Sequence, residues 1–173
     1  MTRIRGNRSE AFNLTGTLAV DGLEAGDLIC QFHYETLVAM SPVRETFNAW
    51  LSDNFASAAE RLDHAIVPYA RLTEPSAIIA DNWADFIGCL NNPDCLQAPI
   101  LRDEFGVIPP FGENAWTGTG VSGETFGANC LDWTDATSST RGMTGNPHTT
   151  NGSWTRAGET TCNVQRHLYC FEQ

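Results

Sequence analysis

Apolar residues recur at helical spacing near the start of the chain. Asp21-Gly22-Leu23-Glu24 has the form of a capping box, an Asp N-cap with Glu three positions on. Behind it Ala25, Leu28, Ile29 and Phe32 share one face, predicting a helix with Cys30 near its middle. A second helix is predicted to open at Ser41-Pro42, a cap followed by proline at the first helical position. Val43, Phe47, Trp50 and Leu51 give it an apolar stripe, and Ser52-Asp53-Asn54 ends it. A shorter helical piece is expected at about 56–62.

The period changes after Asp63. Ala65-Ile66-Val67 with Tyr69, then Ala77-Ile78-Ile79-Ala80, read as short strands, with Pro68 marking an edge or bulge in the first. From Thr117 to Thr161, 27 of 45 residues are Thr, Ser, Gly or Asn. Such a stretch predicts loops and short strands laid over a core rather than forming one. Residues 166–171 alternate as a terminal strand would, Leu168 and Cys170 on one face, His167, Tyr169 and Phe171 on the other. Helices first, antiparallel strands and long loops later, predict an α+β fold in a single domain.

Composition narrows the partners. With 173 residues, 42% hydrophobic and only 18% charged, the chain can build an ordinary core, which excludes disorder. Twenty-one acidic residues against ten basic give a net charge of −11, which argues against nucleic acid, heparin or anionic lipid as the main partner. Every basic residue is arginine, so Schiff-base chemistry and the phosphate-binding lysine of nucleotide hydrolases are excluded. No apolar run approaches the roughly 20 residues that would span a bilayer, so no membrane insertion is expected.

Six cysteines, Cys30, Cys89, Cys95, Cys130, Cys162 and Cys170, allow about 15 pairings. Zinc spacing is lacking, and an even count beside a loop-rich half favours disulfides and an oxidising compartment. Cys89 and Cys95 enclose a turn and would close as a local loop. Because Met1 to Gly6 lacks the apolar core of a signal peptide, export would rest on a leader outside this chain. The sequons at Asn7, Asn13 and Asn151 would matter only in a eukaryotic secretory pathway.

Candidate chemistry is sparse. Gly118-Thr119-Gly120-Val121-Ser122-Gly123 fits the spacing of a dinucleotide loop, but the residues after it open a helix poorly, so it reads as a glycine-rich loop. Ser122 lacks the closing glycine of a nucleophile elbow. Asp81 and Asp85 would share a face if helical and could hold a cation; otherwise they form a solvated edge beside Trp83. Asp132 and Asp135 flank Trp133. Carboxylates beside an exposed indole suit a sugar, while a buried anchor Trp between surface acids is the plainer reading.

The segments Asn114-Ala115-Trp116-Thr117-Gly118-Thr119, Asn129-Cys130-Leu131-Asp132-Trp133-Thr134, Gly152-Ser153-Trp154-Thr155 and His167-Leu168-Tyr169-Cys170-Phe171 resemble the bacterial endostatin-like domains of the C-type lectin-like superfamily. Ala25-Gly26-Asp27, Ala49-Trp50-Leu51-Ser52-Asp53 and Ala80-Asp81-Asn82-Trp83-Ala84-Asp85 extend the likeness upstream. The resemblance implies an N-terminal extension over 1–11 and one domain over 12–173. That domain would have two helices packed on a twisted antiparallel sheet with a long, disulfide-stapled loop region. It also implies the pairs Cys30–Cys170 and Cys130–Cys162, with Cys89–Cys95 as a local addition.

Function implied by the resemblance is a secreted or cell-surface, non-enzymatic binding module, as in bacterial adhesion to host matrix proteins. The ligand would be a protein or glycan met by the loop face. Asp132, Trp133 and Asp135 are the expected contacts, with Trp154 and Arg156 as neighbours. The Glu-Pro-Asn-like and Trp-Asn-Asp clamps of calcium-dependent lectins are missing, so neither a metal nor a cofactor is expected. Two alternatives stay open: a self-assembling surface or filament subunit, and an enzyme resembling the formylglycine-generating oxidases, which use a reactive cysteine pair.

Overall fold

The computed structural model describes residues 22–37, 45–90, 94–103 and 105–173. Its long helix, α1 (Gly22–Leu37), lies where the apolar spacing predicts one. The stripe it buries is Ala25, Ile29, Cys30 and Tyr34, while Leu28 and Phe32 sit at its solvent edge. Asp21, the expected cap, lies outside the described residues.

The predicted second helix is a strand where it is described. β1 (Phe47–Ala49) pairs antiparallel with β7 (Cys170–Glu172), Asn48 opposite Phe171. Phe47, Ala49 and Leu51 face one apolar cluster with Ile29, Trp116, Trp133 and Leu168, whereas Trp50 faces a second with Phe86, Trp154, Tyr169 and Phe171. That two-residue alternation is the period of a strand buried on both faces. Spacing at 47, 50 and 51 satisfies a helix as well, and pairing with β7 decides between them. The Ser41-Pro42 start and Val43 lie outside the described residues.

The β1–β7 pair is therefore a wall between two cores. Residues 168–171 show the predicted alternation, Leu168 and Cys170 toward one cluster, Tyr169 and Phe171 toward the other. β1's outer edge is covered by α1: Asp27 Oδ1 accepts the Ala49 N–H at 2.8 Å and Gln31 Oε1 accepts the Phe47 N–H at 2.9 Å. Arg61 locks this corner with bonds to both Asp27 carboxylate oxygens and to the Leu51 carbonyl.

Smaller elements complete the α+β fold. α2 (Ala58–Arg61) begins at a capping box in which Ser57 and Glu60 satisfy each other's backbone N–H groups. β2 (Tyr69–Arg71) and β3 (Glu74–Ala80) form an irregular hairpin. Ala77 to Ala80 are strand as expected; of the other predicted run only Tyr69 is, since the chain bends at residues 66 and 67 before Pro68. α3 (Trp83–Phe86) follows, with Asp81 before its Asn82 cap, so Asp81 and Asp85 are exposed flanks of a buried Trp83. A three-stranded sheet runs β4 (Ala115–Trp116), β5 (Arg141–Gly145), β6 (Gly158–Thr161). Instead of two helices on one sheet, the described residues hold one long helix and three small antiparallel sheets.

The polar half supplies core after all. Thr117, Thr119 and Thr155 are fully buried. Thr117 donates to the Thr155 carbonyl, Thr119 to the Thr117 carbonyl, and Trp50 Nε1 to Thr155 Oγ1. Ser52 and Thr119 hydroxyls share a 2.8 Å bond. Threonine suits this layer because its methyl packs while its hydroxyl closes a bond that an unpaired buried polar group would lack.

Three disulfides close as expected: Cys30–Cys170, Cys130–Cys162 and Cys89–Cys95. Among the described residues no helix is long and apolar enough to cross a membrane.

Glu172 is largely exposed, yet partial desolvation, and then the charge of Glu45, raise its carboxyl above the ordinary range. A raised carboxyl favours the protonated folded state, a contribution present at low pH and lost as pH rises through the folded value. Glu172→Gln is therefore expected to raise the melting temperature at pH 7 and to leave it unchanged near pH 3. Thermal melts across that range check the sign.

Candidate functional site

Residues 130–133 form a single left-handed turn. Cys130, Leu131, Asp132 and Trp133 all have positive φ, between 53° and 64°. For L residues this conformation costs about 1–2 kcal/mol each, so the turn stores roughly 4–8 kcal/mol that its surroundings must hold.

Four attachments do so. Cys130 is bonded to Cys162, and both are fully buried. The Trp133 indole is buried and donates to the Ser52 carbonyl at 2.9 Å. Asn129 caps the turn by accepting the Asp132 N–H, while Asp132 Oδ1 accepts from the Asn54 backbone and from Asn129 Nδ2. Gly118, at φ +59°, packs beneath it; a Cβ there would lie 2.4 Å from the Ser52 oxygen and 2.7 Å from the Trp133 ring. The glycine-rich loop thus serves close packing, and Ser122 spends its hydroxyl on Glu124.

What the turn displays is Leu131, 60% exposed. The Asn54–Asp132 bond joins its loop to the one bearing Phe55, 87% exposed, so both apolar side chains flank a single tether. Close by, Phe126 is tied through its N–H to the Gly118 carbonyl and carries the Arg156 guanidinium 4.3 Å above its ring.

The structure redistributes the five expected contacts. Asp132 is half-buried and fastens two loops. Asp135 is half-buried too, and its carboxylate bonds Thr137 and the Thr140 hydroxyl within its own loop. Arg156 is exposed. Neither indole presents a face to solvent, and for Trp133 this is the plainer of the two readings, a buried anchor between surface acids. Trp133 belongs to one core, and Trp154 belongs to the other with Nε1 3.2 Å from Cys89 Sγ. Leu131, Phe55 and Phe126 were missed. Leu131 had a signal, as the one leucine in the 45-residue polar stretch.

Among the described residues no group of three or more His, Cys, Asp and Glu is placed to hold a metal ion. No protein-family model matches the chain, and no curated protein matches it.

Proposed function

We propose that this chain is a secreted or cell-surface binding module of C-type lectin-like, endostatin-like fold that recognises a protein ligand without calcium. The observation that carries the reading is the left-handed turn. A fold that spends a disulfide, a buried indole and a carboxylate clamp on four unfavourable residues, and uses them to hold a leucine in water, has conformational strain at a recognition loop. Leu131 and Phe55 supply apolar contact, and the stacked Arg156 supplies a charged rim, the composition of a protein-binding patch. With both indoles buried, the sugar-stacking version of the site loses its plates. The three disulfides support an oxidising compartment. All six cysteines are bonded, which supports a binding module over a thiol-based oxidase.

The test is binding to immobilised extracellular matrix proteins and glycans, in calcium and in EDTA. Binding to a protein is expected, equal in both buffers, and weakened tenfold or more by Leu131→Gly or Phe55→Ser. Glycine relaxes the positive φ, so Leu131→Gly should melt at or above the parent temperature while it loses ligand. Retained binding in that variant, a glycan ligand, or loss in EDTA would each sink the reading.

A further inference from the structure

Among the described residues β7 has one paired edge and one open edge. The bonds Trp50 N–H to Tyr169 O and Gln173 N–H to Thr46 O fix the register, with Asn48 opposite Phe171. In an antiparallel ladder, alternate residues turn their backbone groups outward. Cys170 and Glu172 therefore aim theirs away from β1, where no strand pairs with β7 among the described residues. β1's outer edge is covered by Asp27 and Gln31; among the described residues nothing pairs with β7's.

That edge opens into a cavity of about 860 Å³ between β7, the 63–68 loop, the β2–β3 hairpin and residues 100–103, with Tyr34 of α1 and Phe47 of β1 also lining it. Cys170, Phe171, Glu172 and Gln173 all line it, although successive side chains of a strand point to opposite faces. What the cavity meets is thus the strand's edge. Its walls include Ile66, Val67, Leu72, Pro75, Ile79 and Ile100; Ile66 is 92% exposed and Val67 61%.

Charge selects the occupant. Arg71 and Arg102 at the hairpin end both pair with Glu74 and donate to carbonyls. Asp63, whose N–H bonds Gln173 Oε1 at 2.8 Å, and Glu172 both line the cavity and bring it two carboxylates. A second copy would bring another net charge of −11 to this face.

The geometry points to a peptide-docking site in which an extended segment of another protein, apolar at alternate positions and carrying Lys or Arg at one end, adds as a strand to the open edge of β7. Main-chain bonds to Cys170 and Glu172 hold the strand, the apolar walls receive alternate side chains, and Asp63 and Glu172 receive the cation. This site shares no residue with the Leu131 face.

Panning the intact protein against a library of random linear dodecapeptides tests it. Selected peptides should show alternating apolar residues and a terminal Lys or Arg. One of them, resynthesised, should lose tenfold or more in affinity when alternate amides are N-methylated. It should lose as much against Val67→Ser/Leu72→Ser, whose melting temperature should match the parent, and should lose its salt dependence against Asp63→Asn/Glu172→Gln. Binding to Leu131→Gly should be unchanged, which separates this site from the first. No enrichment, an acidic consensus, unaltered affinity after N-methylation, or occupancy by dodecanoate in place of peptide would overturn the proposal.

Discussion

Replacing Cys30 and Cys170 together by alanine is expected to lower the melting temperature by about 10–20 °C. The bridge spans 140 residues and ties α1 to β7. A cross-link of that span removes about 5 kcal/mol of chain entropy from the unfolded state. For a chain of this size each kcal/mol is worth about 2–4 °C. The six-residue span of Cys89–Cys95 closes a much smaller loop, so Cys89→Ala/Cys95→Ala should cost about 2 kcal/mol. Calorimetry of both double variants gives the order directly, and a larger loss for the short loop would refute the entropic account.

Trp50→Ala is expected to cost about 3–5 kcal/mol. Trp50 is fully buried, with the rings of Trp154, Phe86, Phe171 and Trp83 at 5.0, 5.2, 6.0 and 6.1 Å. Its indole N–H also fastens Thr155, through which the buried threonine network reaches Thr117 and Thr119. Trp50→Phe keeps most of the ring contact and breaks only that bond, so its cost should fall to about 1–3 kcal/mol. Urea unfolding with the slope held constant measures both. Equal costs would mean that the hydrogen bond, not the packing, dominates.

Local signals in the sequence were legible where they were complete within a few residues. The spacing of Ala25, Leu28, Ile29 and Phe32 located α1, although Leu28 and Phe32 are exposed and Cys30 and Tyr34 complete the buried stripe; the alternation of 168–171 specified which side of β7 each residue takes. The helix predicted across Phe47 failed because spacings of three and four can also be met by a doubly buried strand. Only a partner far along the chain distinguishes the two. The polar stretch misled in the same way: Thr117, Thr119 and Thr155 look like surface residues until the bonds that satisfy their hydroxyls are known. At the loop face, Asp132, Asp135 and Arg156 could be read as polar contacts beside tryptophans. That the indoles turn inward and Leu131 outward follows from a left-handed backbone, which no propensity favours in Cys-Leu-Asp-Trp.

The wall that β1 and β7 make between the two clusters also governs how the molecule comes apart. Both clusters share it as a wall, since Trp50, Tyr169 and Phe171 serve one side and Ala49, Leu51 and Leu168 the other. Losing that ladder uncovers both at once, so the two clusters should melt in one cooperative transition rather than as separate subunits of structure. Its formation joins residues far apart in the chain, which makes contact order high and folding slow. Until residues 168–172 are in place, β1 has no strand beside it and Cys30 has no sulfur to bond.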